Sequence, residues 1–136
     1  MKEVARAWVN KRWIHGQALK SEGADCIQFI VAVAKELGWL PADYKTIKYA
    51  RDWSLHNNRS ILLEEISKVC VEVRFASLDE LRAGDVLVFM NGQTSGYGGI
   101  YIGEGRMIHA HIRHGIQEDP VSRYQEKLNS VWRVSR

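Results

Sequence analysis

Residues 23–34, which read Gly-Ala-Asp-Cys-Ile-Gln-Phe-Ile-Val-Ala-Val-Ala, place a cysteine directly before a long apolar run. Asp25 is a preferred N-cap residue and Gln28 lies three positions later, which is the spacing of an acidic capping box. Pro41 follows the run, and a proline at this position indicates that the helix has ended before it. The stretch therefore predicts a buried helix whose first residue is Cys26.

The position of Cys26 indicates a nucleophile. Unpaired backbone N–H groups and the positive end of the helix dipole favour a thiolate there, and they are expected to lower the thiol pKa. The same N–H groups are suited to hold an oxyanion. The competing interpretation is that Cys26 is one more small apolar core residue. Cys70 lies between two valines, and we interpret it as a structural residue of a buried strand.

Length and composition are those of an ordinary globular chain. The 136 residues are 46% hydrophobic and 26% charged, which predicts one folded domain over residues 1–136. The net charge of +3 comes from scattered basic residues, so no nucleic-acid partner is expected. No apolar run reaches the roughly 18 residues of a membrane span, and the N-terminus lacks the apolar core of a signal peptide.

The hydrophobic pattern changes once along the chain, from helical to strand-like. Two further helices are predicted, over Val4–Trp13 and about Ser60–Lys68, with a connector over residues 41–58 between the cysteine helix and the second of them. Strand patterns then follow at residues 86–90, 99–102, 107–111, 116–118 and 131–134, with a hairpin turn at 103–106. Helices first and antiparallel strands second predict an α+β fold, with N-terminal helices packed on a small antiparallel sheet.

Four blocks resemble, in order and spacing, the signature segments of the NlpC family of bacterial cell-wall cysteine peptidases. They are Asp25-Cys26 and the segments 81–89, 99–103 and 107–110. The leader through Gly16 is similar to that of the phage-tail-associated branch. The resemblance implies a papain-like fold, in which a cysteine at a helix start packs on a sheet that supplies a histidine and a third polar residue.

The resemblance also implies an activity and partners. Members of this family hydrolyse peptide bonds in murein stem peptides, and they need no metal or organic cofactor. The expected partners are murein stem peptides and, for the branch named above, phage-tail proteins. With no signal peptide in the chain, the expected location is cytoplasmic or virion-associated, with action at the cell wall.

One position departs from the family pattern. The expected catalytic histidine is Tyr97, whereas the third polar residue matches His109, twelve positions later. A tyrosine hydroxyl, with a pKa of about 10, is a poor base at pH 7. We expect Tyr97 and His109 to lie on adjacent strands with both side chains facing Cys26.

Three interpretations of this departure remain open. In the first, the chain is a catalytically silent murein-binding or phage-tail structural module. In the second, His109 or His111 acts as the base, since the two share one face of a strand. In the third, Tyr97 is a change in an otherwise active lineage. The sequence thus predicts a murein peptide hydrolase of the cysteine-peptidase type, impaired by Tyr97, with the silent module as the alternative.

The remaining candidates concern substrate and metal. By the resemblance, Trp13 and His15 border the substrate groove, and with Asp25 and His111 they form the expected substrate-binding set. The pair His111 and His114 raises the question of zinc, but no cysteine or carboxylate stands at a matching spacing. We therefore predict no metal site.

Overall fold

A computed structural model describes residues 1–46, 61–91 and 94–134. Most of the predicted connector and the first residue of the helix predicted from Ser60 lie outside these ranges. The helices are α1 (Lys2–Arg6), α2 (Cys26–Glu36) and α3 (Ile61–Ile66), with 3₁₀ turns at Leu78–Glu80 and Val121–Lys127. The strands are β1 (Ala18–Leu19), β2 (Gly23–Ala24), β3 (Cys70–Val73), β4 (Val86–Asn91), β5 (Thr94–Gly103), β6 (Arg106–His111), β7 (Gly115–Pro120) and β8 (Leu128–Val134).

The start of α2 is fixed by its cap, as the sequence predicts. Asp25 has extended backbone angles, and its Oδ1 accepts a hydrogen bond from the backbone N–H of Gln28 at 2.8 Å. The Gln28 side chain donates to the hydroxyl of Thr46 at 2.7 Å. Cys26 is therefore the first residue of the helix, and the apolar residues after it are buried.

The strands form one large antiparallel sheet and a two-stranded one. The large sheet has the order β3-β8-β4-β5-β6-β7, and β1 pairs with β2. The predicted α+β fold is confirmed, as is the hairpin between β5 and β6. The predicted strand at 131–134 is part of β8, which lies inside the sheet because it pairs with both β3 and β4. Cys70 is buried, yet its strand is an edge strand on which Val71 is 53% exposed.

The large sheet is covered on both faces. Because strand side chains alternate between faces, Val88 and Ile108 pack with α2 in the larger core cluster, whereas Leu87 and Met107 belong to a second cluster. The second cluster also holds Val121 of the second 3₁₀ turn. The sheet thus separates a helical side, which carries Cys26, from an opposite side.

The first helix is shorter than the sequence predicts. It ends at Arg6, and Asn10 adopts a left-handed backbone angle of φ 74° that a continuing helix does not allow. The backbone N–H of Asn10 donates to Ile116 O, and Ile116 N–H donates to Lys11 O, both at 2.8 Å. These backbone bonds to β7 replace the helix that was predicted to run to Trp13. In the described ranges, no helix has the length and apolar character needed to cross a membrane.

An ion pair in the sheet predicts a measurable loss of stability. Asp85 is 1% exposed and accepts two hydrogen bonds from the guanidinium of Arg133 at 2.8 Å and one from the backbone N–H of Arg82 at 2.8 Å. Asp85→Ala leaves these donors unpaired, so we expect a loss of about 3 kcal/mol in the free energy of unfolding in urea. Asp79→Ala, at an exposed position, is the control and should stay within about 0.5 kcal/mol of the parent. Equal stability of the two variants would contradict this role of Asp85.

Candidate active site

The Cys26 thiol is buried at the start of α2, and its charge state differs from the sequence prediction. The backbone N–H groups of Gly98, Ile27 and Cys26 itself lower the thiol pKa, as expected for a helix start. Burial and the neighbouring carboxylate of Asp25 act in the opposite direction and are stronger, so the pKa is raised to about 12. The prediction of a lowered thiol pKa is therefore wrong. The thiol is neutral, because burial removes the water that would solvate the charge.

Asp25 ties the loop before the helix to the helix itself. Its Oδ1 caps α2, and its Oδ2 accepts a hydrogen bond from the backbone N–H of Gly16 at 2.7 Å. The Nδ1 atom of His15 lies 4.0 Å from the same Oδ2, and the His15 ring stacks on Trp13 with centroids 6.4 Å apart. Three of the predicted substrate-binding residues thus lie together beside Cys26. His15 is exposed among them, whereas Asp25 is buried.

Tyr97 and His109 lie on adjacent strands, as predicted. Their ring centroids are 5.4 Å apart in an edge-to-face arrangement. His109 is paired with Gly99 across β5 and β6, and a Cβ atom built on Gly99 would lie 3.1 Å from the Cβ of His109. The two rings are therefore in direct edge-to-face contact.

The alternation of side chains along β5 determines which face of the sheet these two side chains occupy. A Cβ atom on Gly98 would meet Leu62 and Ile30 of the helical side, so Tyr97 and His109, on the alternate positions, belong to the opposite side of the sheet. Neither the Tyr97 hydroxyl nor Nδ1 of His109 has a hydrogen-bond partner among the described residues. Neither side chain therefore bonds directly to the Cys26 sulfur.

His109 instead has a carboxylate partner that the sequence reasoning missed. Its Nε2 atom lies 2.7 Å from Oδ2 of Asp119, and Oδ1 of Asp119 accepts a hydrogen bond from Arg123 at 2.7 Å. His109 is fully buried. Burial lowers the pKa of His109, and the interactions with Asp119 oppose this effect but are weaker. The imidazole is therefore neutral at pH 7, with Nδ1 unpartnered.

His111 lies near this pair but is bonded differently. Its ring centroid is 6.3 Å from that of Tyr97 and 4.7 Å from that of His114. Its Nδ1 accepts a hydrogen bond from the backbone N–H of Arg113 at 3.1 Å. Burial and nearby cationic groups lower the pKa of His111. In the part of the chain that the structure describes, no three His, Cys, Asp or Glu residues are grouped so that they could hold a metal ion.

Comparison with known proteins identifies a family for most of the chain. The sequence model described as the NlpC/P60 family matches residues 11–133. A search of curated proteins found no match.

Solved structures share the fold at low sequence identity. A Staphylococcus aureus protein of the NLP/P60 family, described as similar to a lipoprotein, is 21% identical with a TM-score of 0.65, over 98% of this chain and 40% of that one. NlpC1 from Trichomonas vaginalis is 15% identical with a TM-score of 0.65, over 97% of this chain and 43% of that one. The NlpC/p60 domain of the peptidoglycan hydrolase SagA is 16% identical with a TM-score of 0.60, over 98% and 94%. The chain thus spans less than half the length of the first two proteins.

The raised thiol pKa values predict slow alkylation. Burial raises the pKa of Cys70 to about 11 and that of Cys26 to about 12, so roughly one Cys26 thiol in 10⁵ is ionised at pH 7. We expect both cysteines of the folded chain to resist iodoacetamide at pH 7, and both to react once the chain is unfolded in urea. Cys26→Ala and Cys70→Ala variants, each with one thiol, resolve the two rates by mass spectrometry. Rapid modification of Cys26 alone in the folded chain would contradict the neutral, buried thiol.

Proposed function

Because the chain belongs to the NlpC/P60 family, we propose that it hydrolyses amide bonds of murein stem peptides, with Cys26 as the nucleophile and His109 as the base. The observation that carries the proposal is the buried imidazole of His109, with one nitrogen bonded to Asp119 and the other unpartnered among the described residues. The substrate class is supported by SagA, a protein of the same fold that is described as a peptidoglycan hydrolase.

His109 suits the role of base better than its two neighbours. A neutral histidine with a lone pair on Nδ1 accepts a proton near pH 7, whereas the Tyr97 hydroxyl does not. His111 already accepts a hydrogen bond at Nδ1, so its proton resides on Nε2 in the neutral form and no nitrogen is left as an acceptor. Among these three side chains, only His109 has an unpartnered ring nitrogen that can accept a proton near pH 7.

The thiol and the imidazole flank the same short stretch of β5. The backbone N–H of Gly98 donates to the Cys26 sulfur, and the next residue, Gly99, is paired directly with His109. Neither glycine adds a side chain between them. Catalytic hydrogen bonds are commonly long in structures without substrate, and one water molecule can relay a proton. The proposal therefore requires proton transfer around this stretch of backbone, directly or through one water.

The reaction follows from these assignments. The Cys26 thiol gives its proton to Nδ1 of His109 while the sulfur attacks the amide carbonyl carbon. The carbonyl electron pair moves to oxygen, which the backbone N–H of Cys26 stabilises. The intermediate then collapses: the C–N bond breaks, the leaving amine takes the proton from Nδ1, and a thioester remains. Water attacks the thioester and gives a proton to Nδ1. The C–S bond then breaks, the sulfur takes this proton from Nδ1 to restore the thiol, and the carboxylic acid leaves.

The surface next to Cys26 suggests how a peptide would be held. The stacked rings of Trp13 and His15 lie beside the capping carboxylate of Asp25. An aromatic ring with an adjacent imidazole offers an apolar contact and a hydrogen-bonding group to one segment of an extended peptide. We assign Trp13 and His15 to substrate binding, and Asp25 to holding them in place. His111, on the other side of the sheet, is assigned to the rim near His109.

A second candidate function is a silent murein-binding or phage-tail structural module. The raised pKa of Cys26, about 12, favours it, since a neutral buried thiol without a bonded base is unreactive until the site rearranges. Tyr97 at the position of the family's histidine favours it as well. The two candidates differ in whether the peptide is cleaved after it binds.

Incubation with purified murein stem peptides distinguishes the two candidates. We expect cleavage of one amide bond, seen by mass spectrometry as two fragments whose summed mass exceeds that of the peptide by one water. Cys26→Ala should form no product because it lacks the nucleophile. Cys70→Ala is the matched control and should keep the parent rate. Binding of the peptides by the parent chain without any cleavage would contradict the hydrolase and support the silent module.

A further inference from the structure

We propose that Asp119 is a positioning residue, which fixes the tautomer and the ring orientation of His109, and that Arg123 holds Asp119 in place. The inference rests on the proposed function, because it assigns the partner of the proposed base. It assigns the residue that orients the base to β7, whereas the family resemblance puts the base position at Tyr97 and the third polar position at His109.

The hydrogen-bonding chemistry determines the tautomer. An ionised carboxylate only accepts hydrogen bonds, and Oδ2 of Asp119 lies 2.7 Å from Nε2 of His109. In the neutral imidazole the proton therefore resides on Nε2, and the lone pair is on Nδ1. Nδ1 is buried and has no partner among the described residues, so the carboxylate leaves the base nitrogen available.

The surroundings restrict the imidazole and the carboxylate. The His109 ring meets the Tyr124 ring at 5.1 Å and the Tyr97 ring at 5.4 Å, both edge-to-face. Asp119 uses its second oxygen to accept a hydrogen bond from Arg123, four residues later, at 2.7 Å. Each carboxylate oxygen thus has its own donor. The carboxylate is held between a buried ring and an exposed guanidinium, and rotation of the imidazole would cost its hydrogen bond to Asp119.

The charged neighbours of His109 shift its pKa in opposite directions. Asp119 raises the pKa of His109, whereas Arg123 lowers it. The rings of Tyr97 and Tyr124 also face the imidazole, and His111 lies 6.5 Å away by ring centroids. Loss of the Asp119 charge should move the acid limb of the kcat/KM profile to lower pH. Loss of the Arg123 charge should move it to higher pH.

The test uses the full chain labelled with ¹⁵N at its histidines, together with kinetics on murein stem peptides. In the parent, NMR without substrate should show the proton of neutral His109 on Nε2. In Asp119→Asn the carboxamide donates as well as accepts, so we expect a mixed tautomer and a kcat lower by roughly 10²-fold or more, with KM near the parent value. Asp119→Glu, which keeps the carboxylate, should recover part of the loss. Asp43→Asn, at an exposed aspartate, is the matched control.

The Arg123→Met variant keeps Asp119 but removes the guanidinium that donates to its Oδ1, and so tests the role of Arg123. We expect it to retain the Nε2 proton, to lower kcat by up to about tenfold, which is less than the loss in Asp119→Asn because exposed ion pairs are weak, and to shift the acid limb upward. A proton on Nδ1 in the parent, or a parent-like kcat in Asp119→Asn, would overturn the inference. A parent chain that shows the Nε2 proton but cleaves no stem peptide would overturn the proposed function alone, because the tautomer is read without substrate.

Discussion

The candidate site depends on one constraint: the helices and the His109 side chain approach the β5 backbone closely, from opposite faces, at Gly98 and Gly99. A Cβ atom on Gly98 would lie 2.9 Å from Leu62 and 3.1 Å from Ile30, so the helical layer reaches the backbone of β5 there. On the other face, Gly99 lets His109 approach equally closely. Only main chain therefore separates the layer that carries Cys26 from the imidazole. A side chain at either position would push the two groups apart.

The same closeness explains why the thiol is neutral. Packing that brings α2 against β5 also removes water from Cys26, and the carboxylate of Asp25, which the helix needs as its cap, adds a negative charge beside the sulfur. The N–H groups at the helix start do not offset these two effects. In such a site the nucleophile depends on a base to take its proton. The proposed mechanism therefore depends on His109 more strongly than it would if the thiol were already ionised.

Local patterns predicted the elements well, because each signal lies within a few residues. Asp25 caps the helix as expected, and the alternating apolar residues correctly indicate the β5–β6 hairpin. The early end of α1 was missed because Asn10 bonds to Ile116, which lies far along the chain. Fold class and family followed from ordered motifs, and the sequence model of the family confirms the resemblance.

The candidate site was less predictable, since its chemistry depends on contacts between elements. The thiol pKa depends on burial, which the sequence pattern around Cys26 does not specify. The bond from His109 to Asp119 crosses from β6 to β7 and corresponds to no motif spacing. The predicted strand ended at residue 118, one position before this carboxylate. The face of the sheet that His109 occupies could not be derived from the sequence, because the alternation of β5 is anchored only by the packing of Gly98 on α2 and α3.

The most direct measurement is the kcat/KM of His109→Ala and of His111→Ala on a murein stem peptide at neutral pH. The two histidines lie two positions apart on one strand and on the same face of the sheet, and His111 is the less buried of the two. If His109 is the base, its variant should lose roughly 10²- to 10⁴-fold, whereas the His111 variant should stay within about tenfold of the parent. A parent-like rate for His109→Ala, with a large loss in His111→Ala, would contradict the account.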